Sequence, residues 1–362
     1  MKRLVPLSLS CFVLLASCGQ QAQQQTGQQT GARATNSDTL AFADAPGGGE
    51  TEAADSLQMR AQVALDRLGF SPGVIDGREG QSYHLALAGF QQARGLPQTG
   101  NLDPATQQAL FQGQKGQGGV AAATRLVVIP AAFARGPFVR DLPTKTSQQA
   151  SYDHLGYRSL TEALAERFHT TPDTLVALNG HGTKVGAGTT VRVPAIANVP
   201  VARIEGDQRG WADTLQRLGV AGEQPTAEKV VVDKSAGTLQ AFDKAGRLIA
   251  QFPVTTGSGH DPLPLGEWKI RGVSRNPDYQ YDPDLFWDAS GKDKEKRLAP
   301  GPNGPVGVVW IDLSKEHYGI HGTPEPQTIG RTESHGCVRL TNWDAARLAQ
   351  MVHAGTQVLF EA

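Results

Sequence analysis

The sequence predicts a multidomain chain: a small all-α three-helix bundle, a small α+β segment and a C-terminal mainly-β sandwich. Three observations predict it. Apolar residues recur at helical spacing between 56 and 112, brief helix and strand patterns follow one another between 151 and 196, and short strand-like runs punctuated by Gly and Pro fill 228–361. Stretches read as linkers separate these blocks, at 113–150 and 197–227. A length of 362 residues suits two or three domains.

The chain opens with Lys2-Arg3, an apolar stretch from Leu4 to Ser17, and the exit Leu15-Ala16-Ser17-Cys18-Gly19. That apolar stretch is too short to span a bilayer, which needs about 20 residues. Residues 1–17 read as a signal peptide, and Leu-Ala-Ser-Cys resembles a bacterial lipoprotein lipobox. The resemblance implies that Cys18 is diacylated and becomes the mature N-terminus, while Cys11 leaves with the signal. Membrane attachment would then run through a lipid anchor. Gly19, where aspartate would retain such a protein at the inner membrane, implies the periplasmic face of the outer membrane. Residues 18–55 are rich in Gln, Gly, Thr and Ala and are expected to form a disordered tether. Fully extended, it would reach on the order of 100 Å.

In the first block, Leu57, Ala61, Ala64, Leu65 and Leu68 mark a helix that Gly69 ends. The turn-rich loop Ser71–Gly77 precedes a second helix carrying Leu85, Leu87 and Phe90. A third starts at Asp103-Pro104, with Asp103 as N-cap and proline at the first helical position. The series Gly-Phe, Pro-Gly, Asp-Gly, Phe-Gln-Gln, Gly-Leu-Pro, Thr-Gly, Asp-Pro-Ala-Thr resembles the peptidoglycan-binding domain 1 family, which implies cell-wall binding by residues 56–112. Beyond it, Arg125–Pro130 reads as a strand of unassigned attachment. In 151–196, a helix with Leu160, Ala163, Leu164 and Phe168 precedes one opening at Thr171-Pro172, and Gly188–Pro194 closes the unit as a strand. This resembles a lysin motif, although Arg158-Ser159-Leu160-Thr161 stands where that motif has Gly-Asp-Thr-Leu. Glycan binding and a structural spacer both remain open for it.

The third block runs Lys229–Asp233, Thr238–Phe242, Leu248–Val254, Gly266–Ile270 and Val306–Leu313 as strands, with one helix from Trp343 to Val352 capped by Asn342. Near its end lie Ile320-His321-Gly322-Thr323 and Ser334-His335-Gly336-Cys337-Val338-Arg339-Leu340. Of three cysteines, Cys337 is the one left free once Cys11 and Cys18 are accounted for, so no internal disulfide is possible. A free cysteine is commonly a small buried hydrophobe. Here Gly336 allows close approach, and Ser334, His335 and Arg339 are polar where a core segment would be apolar. Thiol and imidazole together are what nucleophilic thiol catalysis requires.

With those two motifs, Phe-Pro-Val-Thr-Thr-Gly, Pro-Leu-Gly-Glu-Trp and Pro-Gly-Pro-Asn-Gly-Pro-Val-Gly resemble the L,D-transpeptidase catalytic domain (YkuD type), a β-sandwich with a cysteine nucleophile. Pro264 departs from the threonine common in that family. The resemblance implies Cys337 as nucleophile and His321 as general base and acid, oriented by the Gly322 carbonyl. Backbone N–H groups around Gly336 and Cys337 would form the oxyanion hole, and Ser334 and His335 would shape the pocket and support the thiolate. Arg339 would hold a carboxylate or carbonyl, or else make a structural ion pair. His317 and His353 receive no role. The implied reaction is transpeptidation of peptidoglycan in the bacterial cell envelope. Cys337 takes the acyl group of a stem tetrapeptide, releases terminal D-alanine, and passes the acyl group to an amine, giving 3→3 cross-links or attaching a protein or amino acid.

A peptidoglycan amidohydrolase of the same fold and a non-catalytic wall-anchoring lipoprotein are the alternatives. No cofactor and no metal are expected. His317 and His321 are four apart, but Gly319, Gly322 and Pro324 oppose the helix that a zinc site of that spacing needs. Net charge is −1, or −3 without Lys2 and Arg3, and no basic patch suggests nucleic acid.

Overall fold

The computed structural model describes residues 40–45, 56–112, 122–199, 201, 207, 209–285 and 294–362. The signal segment and Cys18 lie outside these.

Three helices form the first block: α1 (Leu57–Arg67), α2 (Gln81–Ala93) and α3 (Pro104–Gln112). Ser56 caps α1 by accepting from Met59 N–H, and Asp103 Oδ1 accepts from Thr106 N–H at 2.9 Å. Leu65, Tyr83, Leu87, Phe90 and Leu110 make its core.

The second unit is larger than expected. Strands β1 (Ala43–Asp44), β2 (Thr124–Val128) and β3 (Thr190–Pro194) form an antiparallel sheet in that order, accompanied by α4 (Ala131–Ala134), α5 (Thr146–Gln149), α6 (Leu160–Arg167) and α7 (Pro172–Asn179). Two expectations change here. Part of the presumed tether is ordered, because Phe42 is 1% exposed and packs edge-on against Phe133 and Phe168, centroids 5.0 Å apart in each case. The 113–150 linker contains β2, which supplies the middle strand, and Phe133, which is fully buried. The 197–227 linker likewise holds a helix, α8 (Trp211–Leu218), whose Trp211, Leu215 and Leu218 enter the catalytic core.

The C-terminal domain carries β4 (Lys229–Asp233), β5 (Thr238–Phe242), β6 (Leu248–Pro253), β7 (Gly266–Arg275), the hairpin β8 (Tyr279–Tyr281) and β9 (Lys296–Leu298), then β10 (Val309–Leu313), β11 (Gly319–His321), β12 (Val338–Arg339), α9 (Asn342–Met351) and β13 (Gln357–Glu361). Eight strands run in the order β12-β11-β10-β7-β13-β4-β5-β6. The long β7 joins the halves: residues 266–269 pair with β13, while 270–275 pair with β10 across a bulge at Asp312/Leu313. The two sheets of the expected sandwich are therefore continuous through one strand, and one core takes Val232, Leu239, Ile311, Ile320 and Trp343 from both halves and α9. Edge strand β6 is covered by the helical bundle. Ser71 N–H donates to Gln251 O at 2.8 Å, and Gln251 Nε2 donates to Leu85 O. A covered edge cannot pair with another chain.

Candidate active site

Parallel pairing of β11 with β12 sets the site: Ile320 faces Val338, and His321 faces Arg339. Cys337 stands one residue before β12 and His321 ends β11, so register brings together residues 16 apart in sequence. Both line a cleft of about 1250 Å³, with Trp310, Tyr318, Arg339 and the hairpin residue Tyr279.

His321 is 5% exposed and stacks on Trp310, its cross-strand partner on β10, with centroids 5.6 Å apart and planes 20° from parallel. Its Nδ1 lies 2.7 Å from the Gly322 carbonyl. A carbonyl only accepts, so Nδ1 carries the proton and Nε2 is the basic nitrogen of the neutral ring. Burial, then the Arg339 charge, push the imidazole down to about 4, against the raising effect of the Gly322 carbonyl. Burial also pushes the Cys337 thiol up, while a backbone hydrogen bond from Gly319 and the Arg339 charge favour the thiolate. Near neutral pH the resting pair is a neutral thiol beside a neutral base.

The Cys337 turn is held by backbone. Ser258 N–H donates to Ser334 O, Ser334 N–H to Thr256 O, and Arg339 N–H to Thr255 O at 2.8 Å. The Ser334 hydroxyl donates to the Cys337 carbonyl at 2.6 Å. It thus fixes the turn, whereas the resemblance had it supporting the thiolate. Gly336 has φ +99°, and a Cβ there would stand 2.7 Å from the Tyr318 ring. Glycine is the residue that meets both conditions. His335 lines the cleft, and Arg339 lies half-buried in its wall. The His317 carbonyl lies 3.9 Å from Cys337 Sγ, and its exposed ring also reaches the cleft; His353 sits at an exposed turn elsewhere. Reading the sequence missed Trp310 and Tyr318. Trp310 was discoverable, because alternation in Val-Trp-Ile-Asp-Leu puts it on the face opposite Val309 and Ile311. Among the described residues no cluster of three or more His, Cys, Asp or Glu could hold a metal ion.

A thiol at the entry to one strand and a neutral imidazole at the end of its neighbour, under a charged and aromatic wall, can carry nucleophilic acyl transfer. Residues 227–359 match the family described as the L,D-transpeptidase catalytic domain (YkuD), and residues 59–110 match a peptidoglycan binding domain family. The L,D-transpeptidase YkuD of Bacillus licheniformis is 30% identical over 199 residues, covering 54% of this chain and 90% of that protein. Its namesake in Bacillus subtilis is 35% identical over 129 residues, covering 36% and 63%. An L,D-transpeptidase structure from Mycobacterium smegmatis shares 20% identity at a TM-score of 0.31, covering 38% of this chain and 59% of that one. The chain belongs to the YkuD family of L,D-transpeptidases. With its peptidoglycan-binding domain, that places its substrate in the peptidoglycan of the cell envelope.

Proposed function

We propose that the protein transfers the acyl group of a peptidoglycan stem tetrapeptide through a thioester on Cys337. The observation that carries this reading is the joint placement of Cys337 and a tautomer-fixed His321 in one cleft. As Sγ attacks the carbonyl between meso-diaminopimelate and the terminal D-alanine, the thiol proton passes to His321 Nε2. Backbone N–H groups around Gly336 and Cys337 receive the developing oxyanion. Collapse expels D-alanine, whose amine takes the proton from the imidazolium. An acceptor amine then attacks the thioester, gives its proton to His321, and restores the thiol. The product is a 3→3 cross-link, or stem peptide joined to a protein or amino acid.

The bundle of residues 56–112 holds the enzyme on peptidoglycan, and diacylated Cys18 tethers it to the outer membrane's periplasmic face. Palmitate should label the wild type and not Cys18→Ser; an unlabelled, freely soluble wild type removes the anchor.

The chemistry is tested by incubating the full chain with purified tetrapeptide and an amine acceptor and reading products by mass. Wild type should release D-alanine and yield the transfer product. Cys337→Ala should do neither. His321→Ala should be slower by about 10²–10⁴-fold, the usual contribution of positioned acid–base help. His353→Ala should match wild type. D-alanine released with water as sole acceptor would make the enzyme an amidohydrolase, and activity in Cys337→Ala would overturn the thioester.

A further inference from the structure

Gly322, whose carbonyl orients His321, packs on a side chain that is hydrogen-bonded from outside the catalytic domain. Gly322 packs so closely on Asn342 that a Cβ would collide with Asn342 Oδ1, and the same oxygen accepts from Val308 N–H at 3.3 Å. Asn342 is fully buried at the first turn of α9. Its Nδ2 donates to Glu166 Oε1 at 2.9 Å and Oε2 at 3.2 Å, and to the Pro302 carbonyl at 3.1 Å. Glu166 lies on α6, well before the residues matched as catalytic domain. It is 5% exposed, and its Oε2 also accepts from the Tyr157 hydroxyl at 2.8 Å. Burying a carboxyl is costly unless its oxygens are satisfied. Here burial pushes it up to about 8, against the pull of the Tyr157 and Asn342 hydrogen bonds.

We infer that Glu166 is a positioning residue for His321, acting through Asn342 and Gly322, so that the α/β unit ahead of the catalytic domain is part of the catalytic frame. The inference rests on the reading of Cys337 and His321 as the reacting pair. Without the Glu166 oxygens, the buried Asn342 amide keeps the Pro302 carbonyl as its acceptor and is free to tilt. Its Oδ1 then withdraws from Val308 N–H and from Gly322. The Gly322 carbonyl moves with it, the Nδ1 hydrogen bond loosens, and the imidazole loses its fixed aim at the thiol. Glutamine at 166 can keep its one oxygen as the acceptor for Asn342 Nδ2 while its Nε2 donates to the Tyr157 hydroxyl, so the link to Asn342 is retained.

The test measures D-alanine release from tetrapeptide by the full chain, with kcat normalised to the titrated Cys337 thiol. Glu166→Ala should lower kcat by about 10–100-fold, the scale set by misplacing a catalytic group by around an ångström, with KM little changed. Glu166→Gln should restore kcat to within about threefold of wild type, as expected where geometry and not charge is at stake. In ¹⁵N-histidine spectra the hydrogen-bonded Nδ1–H of His321 should persist in wild type and Glu166→Gln and shift in Glu166→Ala. If Glu166→Ala does not fold, Glu166→Asp serves, because the shorter side chain retracts from Asn342. A folded variant of either kind with wild-type kcat and an unshifted Nδ1–H overturns the positioning role, even if its melting temperature falls. Wild type that releases no D-alanine, or Cys337→Ala that does, would instead sink the underlying assignment.

Discussion

At Cys337 and His321 the electrostatics decide when the proton moves. A buried imidazole pushed down to about 4 is unprotonated across the physiological range, and a thiol pushed up keeps its proton there. In the proposed mechanism transfer would therefore accompany attack, in contrast to enzymes that rest as a thiolate–imidazolium pair. The pH dependence follows with a definite sign. A base depressed in the folded protein is available above its folded value and is lost only when pH falls through it. Carbapenem acylation of Cys337 should accordingly hold steady from neutral pH down and fall with a midpoint near 4. In His321→Ala the rate should climb with pH as the thiol ionises unaided, closing the gap to wild type at alkaline pH. Acylation rates measured from pH 3 to 10 check both, and an acid limb at the ordinary histidine value of about 6.5 would contradict the buried neutral ring. The candidate pair is legible in the sequence because Cys337 and His321 each sit in a short contiguous motif. Trp310 is legible only as lying on the face of its strand opposite Val309 and Ile311, register being what sets it against His321, and Tyr318 is not legible, since its place arises from the space that Gly336 leaves.

At the scale of elements, helices with clear caps and periodicity were read closely. α1, α3, α6 and α7 begin at Leu57, Pro104, Leu160 and Pro172, as their capping residues require. α9 starts one residue earlier than its apolar pattern suggests. Thr341 caps it by accepting from Asp344 N–H, which releases the Asn342 amide for Glu166. β1 and α8 fall in stretches that read as tether and linker, and β2 reads as a strand without an assigned partner, because each is a short apolar run amid polar or Gly-rich sequence. What orders them is tertiary: Phe42 finds Phe133 and Phe168, and Trp211 finds the catalytic core. No local signal encodes the cross-element charges either. Arg347 on α9 grips Asp66 on α1 with both Nη atoms, at 3.0 and 2.7 Å, and His169 Nδ1 approaches the same carboxylate at 3.1 Å. Although burial opposes it, the Arg347 charge and the contact with His169 hold the Asp66 carboxyl well below the usual carboxylate range. Its contribution to stability is present above the ordinary carboxylate pKa and is lost only in strong acid. Asp66→Ala would leave the buried Arg347 without that counter-charge, a loss of about 3–5 kcal/mol, tempered by Asp344, 3.7 Å from Arg347. Adding Arg347→Met should recover much of it. Denaturant titrations of the single and double variants measure the difference, and equal stabilities would show that the cluster contributes nothing.

For the whole molecule, these buried contacts predict that the catalytic domain will be unstable when cut at the boundaries its motifs suggest. A fragment of residues 228–361 lacks α8, and with it the fully buried Leu215 and Leu218 and nearly buried Trp211. It also bares Trp343, which is 0% exposed and stacks on His169 with centroids 5.2 Å apart, and it strands Arg347 without Asp66. Truncating one large core side chain costs about 2–5 kcal/mol, so losing three approaches the whole stability of a typical domain, about 5–15 kcal/mol. The 228–361 fragment should therefore bind the dye ANS, lack a cooperative melt and acylate slowly. A fragment of residues 207–362 restores α8 and should regain a melt, at a lower temperature than the full chain, because Arg347 still lacks Asp66 and Trp343 still lacks His169. Extending to residue 40 returns Phe42, the α/β unit and the bundle over the β6 edge, and should restore both the melting temperature and the acylation rate. Thermal melts with ANS fluorescence and carbapenem acylation across the three lengths decide the matter. If residues 228–361 alone melt cooperatively and react at the full-chain rate, the N-terminal units are appendages, and the buried contacts with α9 do not govern the site.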